Sequence, residues 1–521
     1  MGVTTVLEPT ARPELGVEPG PRSRQPLWLI GGAGTVIAAG LFLRFFTVSH
    51  LWLDEAQSVN IARVPLSQLA GALRHDGAPP LYYAILHVWM RVLGSGDVSV
   101  RTLSGVFAVM ALPAMWFAGR RLGGTRSAWV AVVLLAASPF ATHYATETRM
   151  YALVTLISVL GLLAALRALE RPSVSRLALV SLDAALLLYS HYWSLYVVAA
   201  GFAVLVWRGW RKGDAAAKRV AGALVVGGVA FIPWLPVLAY QARHTGTPWA
   251  SPSQPWRVFP DVVGEFAGGA APESPLNFIL LVLLLALGLF GRARDSRHID
   301  LDLRTRSPGR WLATVVVGTT AVAVLAGYVS HATFQPRYTA GIFPLFILWA
   351  ATGALCLGDR RVLAGALAVT CLLGLGGAAA TATSEKSQGG QIAALINAEA
   401  RPGDLVVYCP DQLGPSASRY IKMAVDQVTW PAGTSPQRVD WVDYRKRIDA
   451  ASPAAFASDL VGRAGSHAIW LVWSDGYSGL GRSCPFLQQD LALLRPGPIA
   501  YAAPNFADYE HEALVRYPAA P

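Results

Sequence analysis

The chain has 521 residues, of which 54% are hydrophobic and only 14% charged, against roughly 25% charged residues in an ordinary soluble domain. That balance excludes a protein whose main solvent is water, and apolar stretches of about 20 residues, each long enough to cross a bilayer, recur up to about position 381. The net charge of +11 does not mark a nucleic-acid binder, because the basic residues sit in short clusters between apolar runs rather than along one stripe.

Residues 1–27 are polar, contain Pro and Arg, and are expected to form a disordered cytoplasmic tail. The first apolar run, 28–48, begins too late and runs too long for a cleaved signal peptide, so it reads as an uncleaved helix. Further runs at 100–118, 126–142, 150–168, 176–190, 194–209, 219–240, 275–291, 311–329, 339–357 and 361–381 predict eleven transmembrane helices with termini on opposite sides. One set of alternate connections, from Arg12, Arg22 and Arg24 to Arg360 and Arg361, carries 22 basic residues against seven in the other set. The positive-inside rule then puts the N-terminus in the cytoplasm and the C-terminal part outside, as expected of a multi-pass plasma-membrane protein. The apolar stretch 79–93 would reverse every later loop if it spanned. It is expected instead to lie along the outer surface as an interfacial helix, where Tyr82, Tyr83 and Trp89 suit a belt position. The outer loop 49–99 is then long and structured.

The polar groups that carry chemistry are expected at the outer helix ends. Arg44 stands near the outer end of the first helix, and Asp183 lies inside a span; ionisable groups in or near lipid are functional candidates. Leu51-Trp52-Leu53-Asp54-Glu55-Ala56 sets two adjacent acids among hydrophobic residues, where partial desolvation favours a general base. The plain alternative is that Asp54 caps the helix that follows. Thr146-Glu147-Thr148-Arg149-Met150-Tyr151 places an acid and a guanidinium on a tight outer turn, as ligand-orienting groups or as an exposed salt bridge worth about 0–1 kcal/mol. Tyr189-Ser190-His191-Tyr192-Trp193 is an aromatic turn around one His and also suits an interfacial belt. Phe334-Gln335-Pro336-Arg337-Tyr338 offers a guanidinium that either holds phosphate through paired hydrogen bonds or snorkels to the interface.

After 381 the composition changes. Residues 385–390 read as a linker, 391–400 as an amphipathic helix, and Leu405-Val406-Val407-Tyr408 and Ile469-Trp470-Leu471-Val472-Trp473 as short strands. The expected organisation is a transmembrane catalytic domain over 28–381 and a small extracytoplasmic α/β domain over 382–521. Cys356 and Cys371 fall in apolar segments as buried small hydrophobes. Cys409 and Cys484 both fall in the outer part, where oxidising conditions permit a disulfide between them. No Cys or His spacing resembles a zinc site.

The order Trp52-Leu53-Asp54-Glu55-Ala56, Pro79-Pro80-Leu81-Tyr82-Tyr83, Arg101, Gly119-Arg120-Arg121-Leu122-Gly123, Ser138-Pro139, Glu147-Thr148-Arg149-Met150-Tyr151, with Pro336-Arg337-Tyr338 further on, resembles the GT-C superfamily. The resemblance is to the glycosyltransferase 39 group, similar to protein O-mannosyltransferases and the aminoarabinose transferase of lipid A. One departure is that Ala78 stands where the group often has His before Pro-Pro, with His75 and Asp76 just upstream.

The resemblance implies a GT-C-like fold and an inverting transferase that takes a mannose- or arabinose-like sugar from a polyprenyl-phosphate donor to a glycan, lipid or protein acceptor at the outer face. Asp54 is then the base, with Glu55 beside it; Arg149, Arg337 and Arg44 receive the leaving phosphate; Glu147, Tyr151, Tyr82, Tyr338 and His191 orient the substrates. No cofactor and no metal ligands are expected, the use of a divalent ion being left open. A multi-pass transporter or lipid flippase would show inverted repeats and broken helices in matching halves, whereas here the polar clusters gather at one face. A third reading makes the C-terminal part a glycan-binding module on a non-catalytic anchor.

Overall fold

The computed structural model describes residues 27–246, 254–305, 307–330, 334–475 and 481–519, so nearly all of the tail expected to be disordered lies outside the described residues. The helices follow in chain order as α1 (Leu27–Leu43), α2 (Leu53–Ala62), α3 (Leu66–Arg74), α4 (Leu81–Leu93), α5 (Asp97–Ala137), α6 (Pro139–Ala145), α7 (Tyr151–Glu170), α8 (Val174–Ser190), α9 (Ser194–Arg211), α10 (Ala215–Val229), α11 (Leu235–His244), α12 (Pro255–Ala267) and α13 (Ser274–Phe290). A hairpin of β1 (Gly291–Ala293) and β2 (Ile299–Leu301) leads to α14 (Gly309–Ser330), α15 (Phe343–Ala354), α16 (Arg360–Ala382) and α17 (Gly389–Glu399).

Apolar side chains cover much of the outer helix faces, such as Leu276, Ile279 and Leu283 on α13 and Val369 and Leu372 on α16. Such faces are stable where the surrounding medium is lipid and the backbone is satisfied within each helix. The chain is a multi-pass membrane protein. Among the described residues, five helical stretches have the length and apolarity to cross a bilayer: Asp97–Ala137, Tyr151–Glu170, Ala215–His244, Gly309–Tyr328 and Arg360–Ala382. The helices at 28–43, 81–93, 274–290 and 343–354 are apolar but shorter.

These lengths do not by themselves count eleven crossings, and glycine and proline set several of the boundaries. The segments expected at 100–118 and 126–142 are the two arms of α5, broken at Gly123 and Gly124, where Gly124 takes φ +75°, a conformation that disfavours any side chain. The arms press together near that break: a Cβ on Gly119 would sit 2.9 Å from the Ala128 Cα. The run 219–240 is likewise divided, into α10 and α11, by a 3₁₀ turn at Ile232–Trp234 that contains Pro233. On α4, Tyr82, Tyr83 and Leu86 are buried while Val88, Val92 and Leu93 are exposed, so the helix lies with one face on the protein.

After α17 come five strands: β3 (Leu405–Cys409), β4 (Asp426–Thr429), β5 (Ile469–Trp473), β6 (Ile499–Ala502) and β7 (Ala513–Tyr517), in spatial order β4-β3-β5-β7-β6. β3 pairs in parallel with β4 and β5, whereas β7 pairs antiparallel with β5 and β6. β3 is buried on both faces, as its unbroken apolar run requires. Val406 and Tyr408 pack with Ile392 and Ile396 of α17. Leu405, Val407 and Cys409 face the opposite core with Trp430, Leu487 and Leu491. Cys409 is disulfide-bonded to Cys484, with their Cα atoms 5.5 Å apart.

Trp52 and Leu53, at the start of α2, belong to this second core. Further bonds tie α2 and the start of α5 to the C-terminal part: the Tyr420 hydroxyl accepts from Leu51 N (2.8 Å), Asn60 Nδ2 donates to Gln437 O (2.6 Å), and Arg419 pairs with Asp97 (2.8 Å). The sheet thus fixes where α2 begins, and Asp54 lies in its first turn.

Candidate active site

The backbone turns into α2 at Trp52, which is extended and offers no side-chain cap. Asp54 is therefore not the N-cap: it sits in the first turn with Glu55, where the exposed N–H groups and the helix dipole favour negative charge. The two neighbouring acids point into different surroundings. The Glu55 side chain is fully buried and accepts from Arg101 Nε (2.8 Å), Arg101 Nη2 (2.6 Å) and Thr148 N (2.9 Å). Burial pushes its carboxyl upward, but the two-pronged Arg101 pair, Lys386 and the Thr148 N–H outweigh that and hold it below the usual carboxylate range. Glu55 thereby joins the α2 start, α5 and the 146–150 turn, with both carboxylate oxygens already occupied.

Asp54 keeps solvent access, its side chain being 21% exposed, and meets two guanidiniums: Arg149 Nε at 3.7 Å and Arg337 Nη2 at 3.8 Å. These are ion pairs beyond direct hydrogen-bond distance. Arg149 is braced from α2 and α4, donating through Nη1 to Ser58 Oγ (3.1 Å) and to the Tyr83 hydroxyl (3.3 Å), which in turn donates to Asp76 Oδ2 (2.7 Å). Arg337 enters from the short helical turn at Pro336–Gly341 and lies 5.9 Å from the ring centroids of both Trp52 and Tyr338, a cation–π arrangement. Burial opposes the charge on each guanidinium, yet the surrounding acidic groups, Asp54 among them, hold both well above their ordinary range.

Glu147 forms the second layer. It is buried and accepts from Trp52 Nε1 at 2.8 Å, with Lys386 Nζ at 3.6 Å and His143 Nε2 at 3.8 Å. Burial raises its carboxyl, helped by the neighbouring charges of Glu55 and Asp54 and opposed by Lys386 and Arg337. Lys386 is the residue that sequence reasoning missed. It lies in the stretch expected to be a plain linker, yet is nearly buried, and its backbone C=O accepts from Glu510 N at 2.8 Å. The one signal in the sequence was a basic residue just beyond the last apolar run.

An aromatic wall closes one side. The His191 ring lies 5.7 Å from Tyr151 and 5.4 Å from Tyr338, and Tyr338 lies 5.5 Å from Trp193. Burial, with Arg149 and Arg337 nearby, pushes the His191 imidazole down to about 3, so it is neutral at physiological pH and serves as a ring rather than as a proton carrier. Tyr82 is set behind the site, its hydroxyl 3.0 Å from Ser104 Oγ, which itself donates to Arg149 O (3.2 Å).

Arg44 does not join the cluster. It is buried and donates to Gly40 O (2.7 Å), Ala136 O (2.9 Å) and Leu135 O (2.7 Å). The last two are carbonyls in the final turn of α5, of which Leu135 O also accepts from Ser138 N at 3.3 Å. Its charge completes a helix end and does not face Asp54. Of the sequence-predicted residues, Asp54, Glu55, Glu147, Arg149, Arg337, Tyr151, Tyr338 and His191 converge, Tyr82 supports them from behind, and Arg44 stands apart.

This constellation can bind an anion while presenting a carboxylate beside it. Among the described residues, the buried Arg149 Nε, Arg337 Nε and Lys386 Nζ atoms find no hydrogen-bond acceptor. Buried N–H groups of cations left open in this way are costly unless a ligand completes them.

Comparison with known proteins agrees with the motif resemblance. Residues 77–240 match the family described as dolichyl-phosphate-mannose-protein mannosyltransferase, a segment that contains Glu147 and Arg149 but not Asp54, Arg337 or Lys386. No curated protein matches the chain. Among solved structures, ArnT from Cupriavidus metallidurans bound to undecaprenyl phosphate is similar at 14% identity and a TM-score of 0.59, over 95% of this chain and 99% of that one. The Archaeoglobus fulgidus oligosaccharyltransferase tethered with an acceptor peptide gives 10% identity and 0.47, over 89% and 72%. The arabinofuranosyltransferase AftD from Mycobacteria gives 15% and 0.48, over 95% and 42%. The fold is shared with ArnT along nearly the whole length of both chains.

Proposed function

We propose that this chain is an inverting glycosyltransferase that moves a sugar from a polyprenyl-phosphate donor to an acceptor at the outer face of the plasma membrane. The observation that carries this reading is a set of three largely covered cations, each with a buried, open N–H: Arg149 and Arg337 beside the partly exposed Asp54, and Lys386 beside Glu147. A phosphate is the anion that such a set completes. The ArnT of similar fold is described as bound to undecaprenyl phosphate, which supports a lipid-linked donor here.

In the proposed reaction Asp54 takes the proton of an acceptor hydroxyl as its oxygen attacks the anomeric carbon. The bond from that carbon to the phosphate oxygen breaks on the opposite face, and its electron pair leaves on the phosphate. The configuration inverts in this single displacement. Arg149, Arg337 and Lys386 stabilise the charge that grows on the departing phosphate, so no separate general acid is required. A bound phosphate also gives the two guanidiniums a partner other than Asp54, freeing its oxygens for the acceptor. Glu55 and Glu147 act as positioning residues, through Arg101 and Trp52 respectively.

The charge distribution supports a cytoplasmic N-terminus, eleven crossings of unequal build with α4 lying on the outer surface, and an extracytoplasmic part from 382 onward. The Cys409–Cys484 bond agrees with that side being oxidising. The test is to incubate the purified protein in lipid nanodiscs with a panel of polyprenyl-phosphate sugars and follow release of the polyprenyl phosphate. Turnover of one donor supports the reading and names the sugar; inertness toward all of them, with the fold intact, overturns it.

A further inference from the structure

The segment from Ala503 to Glu512 runs close to the site and holds two large aromatic rings in the open, Phe506 at 71% and Tyr509 at 67% exposure. This segment is clamped. Gln388 Oε1 accepts from Asn505 N (2.6 Å) and Glu512 N (2.7 Å), its Nε2 donates to Ala503 O (3.2 Å), and Gln388 N donates to Glu510 O (3.0 Å). Tyr509 alone of the pair is continuous with the site, its ring meeting Trp52 edge-on at 5.1 Å. Trp52 in turn donates to Glu147 and lies under the Arg337 guanidinium. A line therefore runs from Arg337 and Glu147 through Trp52 to an aromatic face in solvent.

We propose that Tyr509 is the platform of an acceptor subsite, and that the acceptor is a carbohydrate that lays the C–H face of a sugar ring on it. This rests on the transferase reading and names its acceptor class. The face of a sugar ring carries slightly positive C–H groups that match the negative face of an aromatic ring, and a tyrosine loses little freedom in providing it. The donor phosphate belongs at the buried cations, so the exposed end of the line is where a second, water-borne substrate enters. A peptide acceptor would need free backbone partners, and here Asn505, Glu510 and Glu512 N–H and the Ala503 and Glu510 carbonyls are already bonded.

The experiment titrates the full chain in nanodiscs, without any donor, with neutral trisaccharides of mannose and of arabinose and with a Ser/Thr-rich peptide, read by saturation-transfer NMR. At least one trisaccharide binds, Tyr509→Ala weakens it about tenfold, and Tyr509→Phe keeps it, because the ring and not the hydroxyl is the platform. Thermal unfolding of both variants verifies that they are folded. The proposal is overturned if neither trisaccharide binds, if folded Tyr509→Ala binds as well as the parent chain, or if only the peptide binds. Failure of the parent chain to turn over any donor would sink the transferase reading alone, since this measurement needs no donor.

Discussion

The indole N–H of Trp52 donates to Glu147 at 2.8 Å, and these two residues stand two places before Asp54 and two places before Arg149. One hydrogen bond therefore sets the register of the α2 start against the 146–150 turn, and with it the 3.7 Å approach of Arg149 to Asp54. Its acceptor is buried, so the bond is expensive to leave unmade.

Asp54→Asn preserves size and removes the base. Sugar transfer falls by about a hundred- to ten-thousandfold, the usual contribution of a positioned general base. Turnover of the folded variant in nanodiscs measures this, and near-normal transfer removes Asp54 from the reaction.

Arg101→Leu strands the Glu55 carboxylate in the interior, and breaking a buried pair from one side costs about 3–5 kcal/mol. The double variant Glu55→Leu with Arg101→Leu regains part of that, since no charge is left alone. Unfolding temperatures in detergent decide the matter: equal losses in the single and double variants would show that the pair is not what holds the α2 start.

Lys386→Met keeps the packing and deletes one of the three open cations. For a charge-assisted contact to phosphate, kcat/KM for the donor drops about ten- to a hundredfold, and Lys386→Arg recovers part of it. An unchanged donor dependence in the Met variant would return Lys386 to a structural pairing with Glu147.

Stability of the C-terminal part depends on pH through Asp411, whose Oδ1 accepts from the Tyr444 hydroxyl at 2.5 Å. Burial pushes its carboxyl up to about 7, with Asp440 adding to the rise and Tyr444 and Arg447 opposing it. In the unfolded chain the same group loses its proton near pH 4. The fold binds the extra proton between those values, so stability is highest below about pH 4, declines as pH rises toward about 7, and is level above. Burial pushes Glu510 and Glu512 the same way, with Asp54 adding to the rise of the first and Glu510 to that of the second. Melting curves across this range show a shallower decline for Asp411→Asn; an unaltered slope would mean that Asp411 does not titrate as the fold forms.

Much of the site could be read from the sequence because lipid leaves few places for charge. Asp54, Glu147, Arg149 and Arg337 all stand where an apolar run ends, and the structure brings them to one place. The same logic misplaced Arg44, since a guanidinium at a helix end is equally suited to uncapped carbonyls, and only the position of the α5 terminus decides between the two. Lys386 was not legible, because a polar stretch after the last apolar run reads as a connection until the distant Glu510 segment pairs with it. Helix boundaries were legible in part: the break at Gly123 and Gly124 falls in the gap left between the runs 100–118 and 126–142, whereas the turn at Pro233 lies inside the run 219–240, where apolar composition continues without interruption.

Because Trp52 and Leu53 share a core with strands formed much later in the chain, the order of synthesis acquires a meaning. The ribosome delivers the carboxylate early, but Lys386 and the strands that seat α2 follow only near the end. A half-made chain already threaded into the bilayer would hold Asp54 in an incomplete pocket, and that pocket would close only once the last segments had been made and folded.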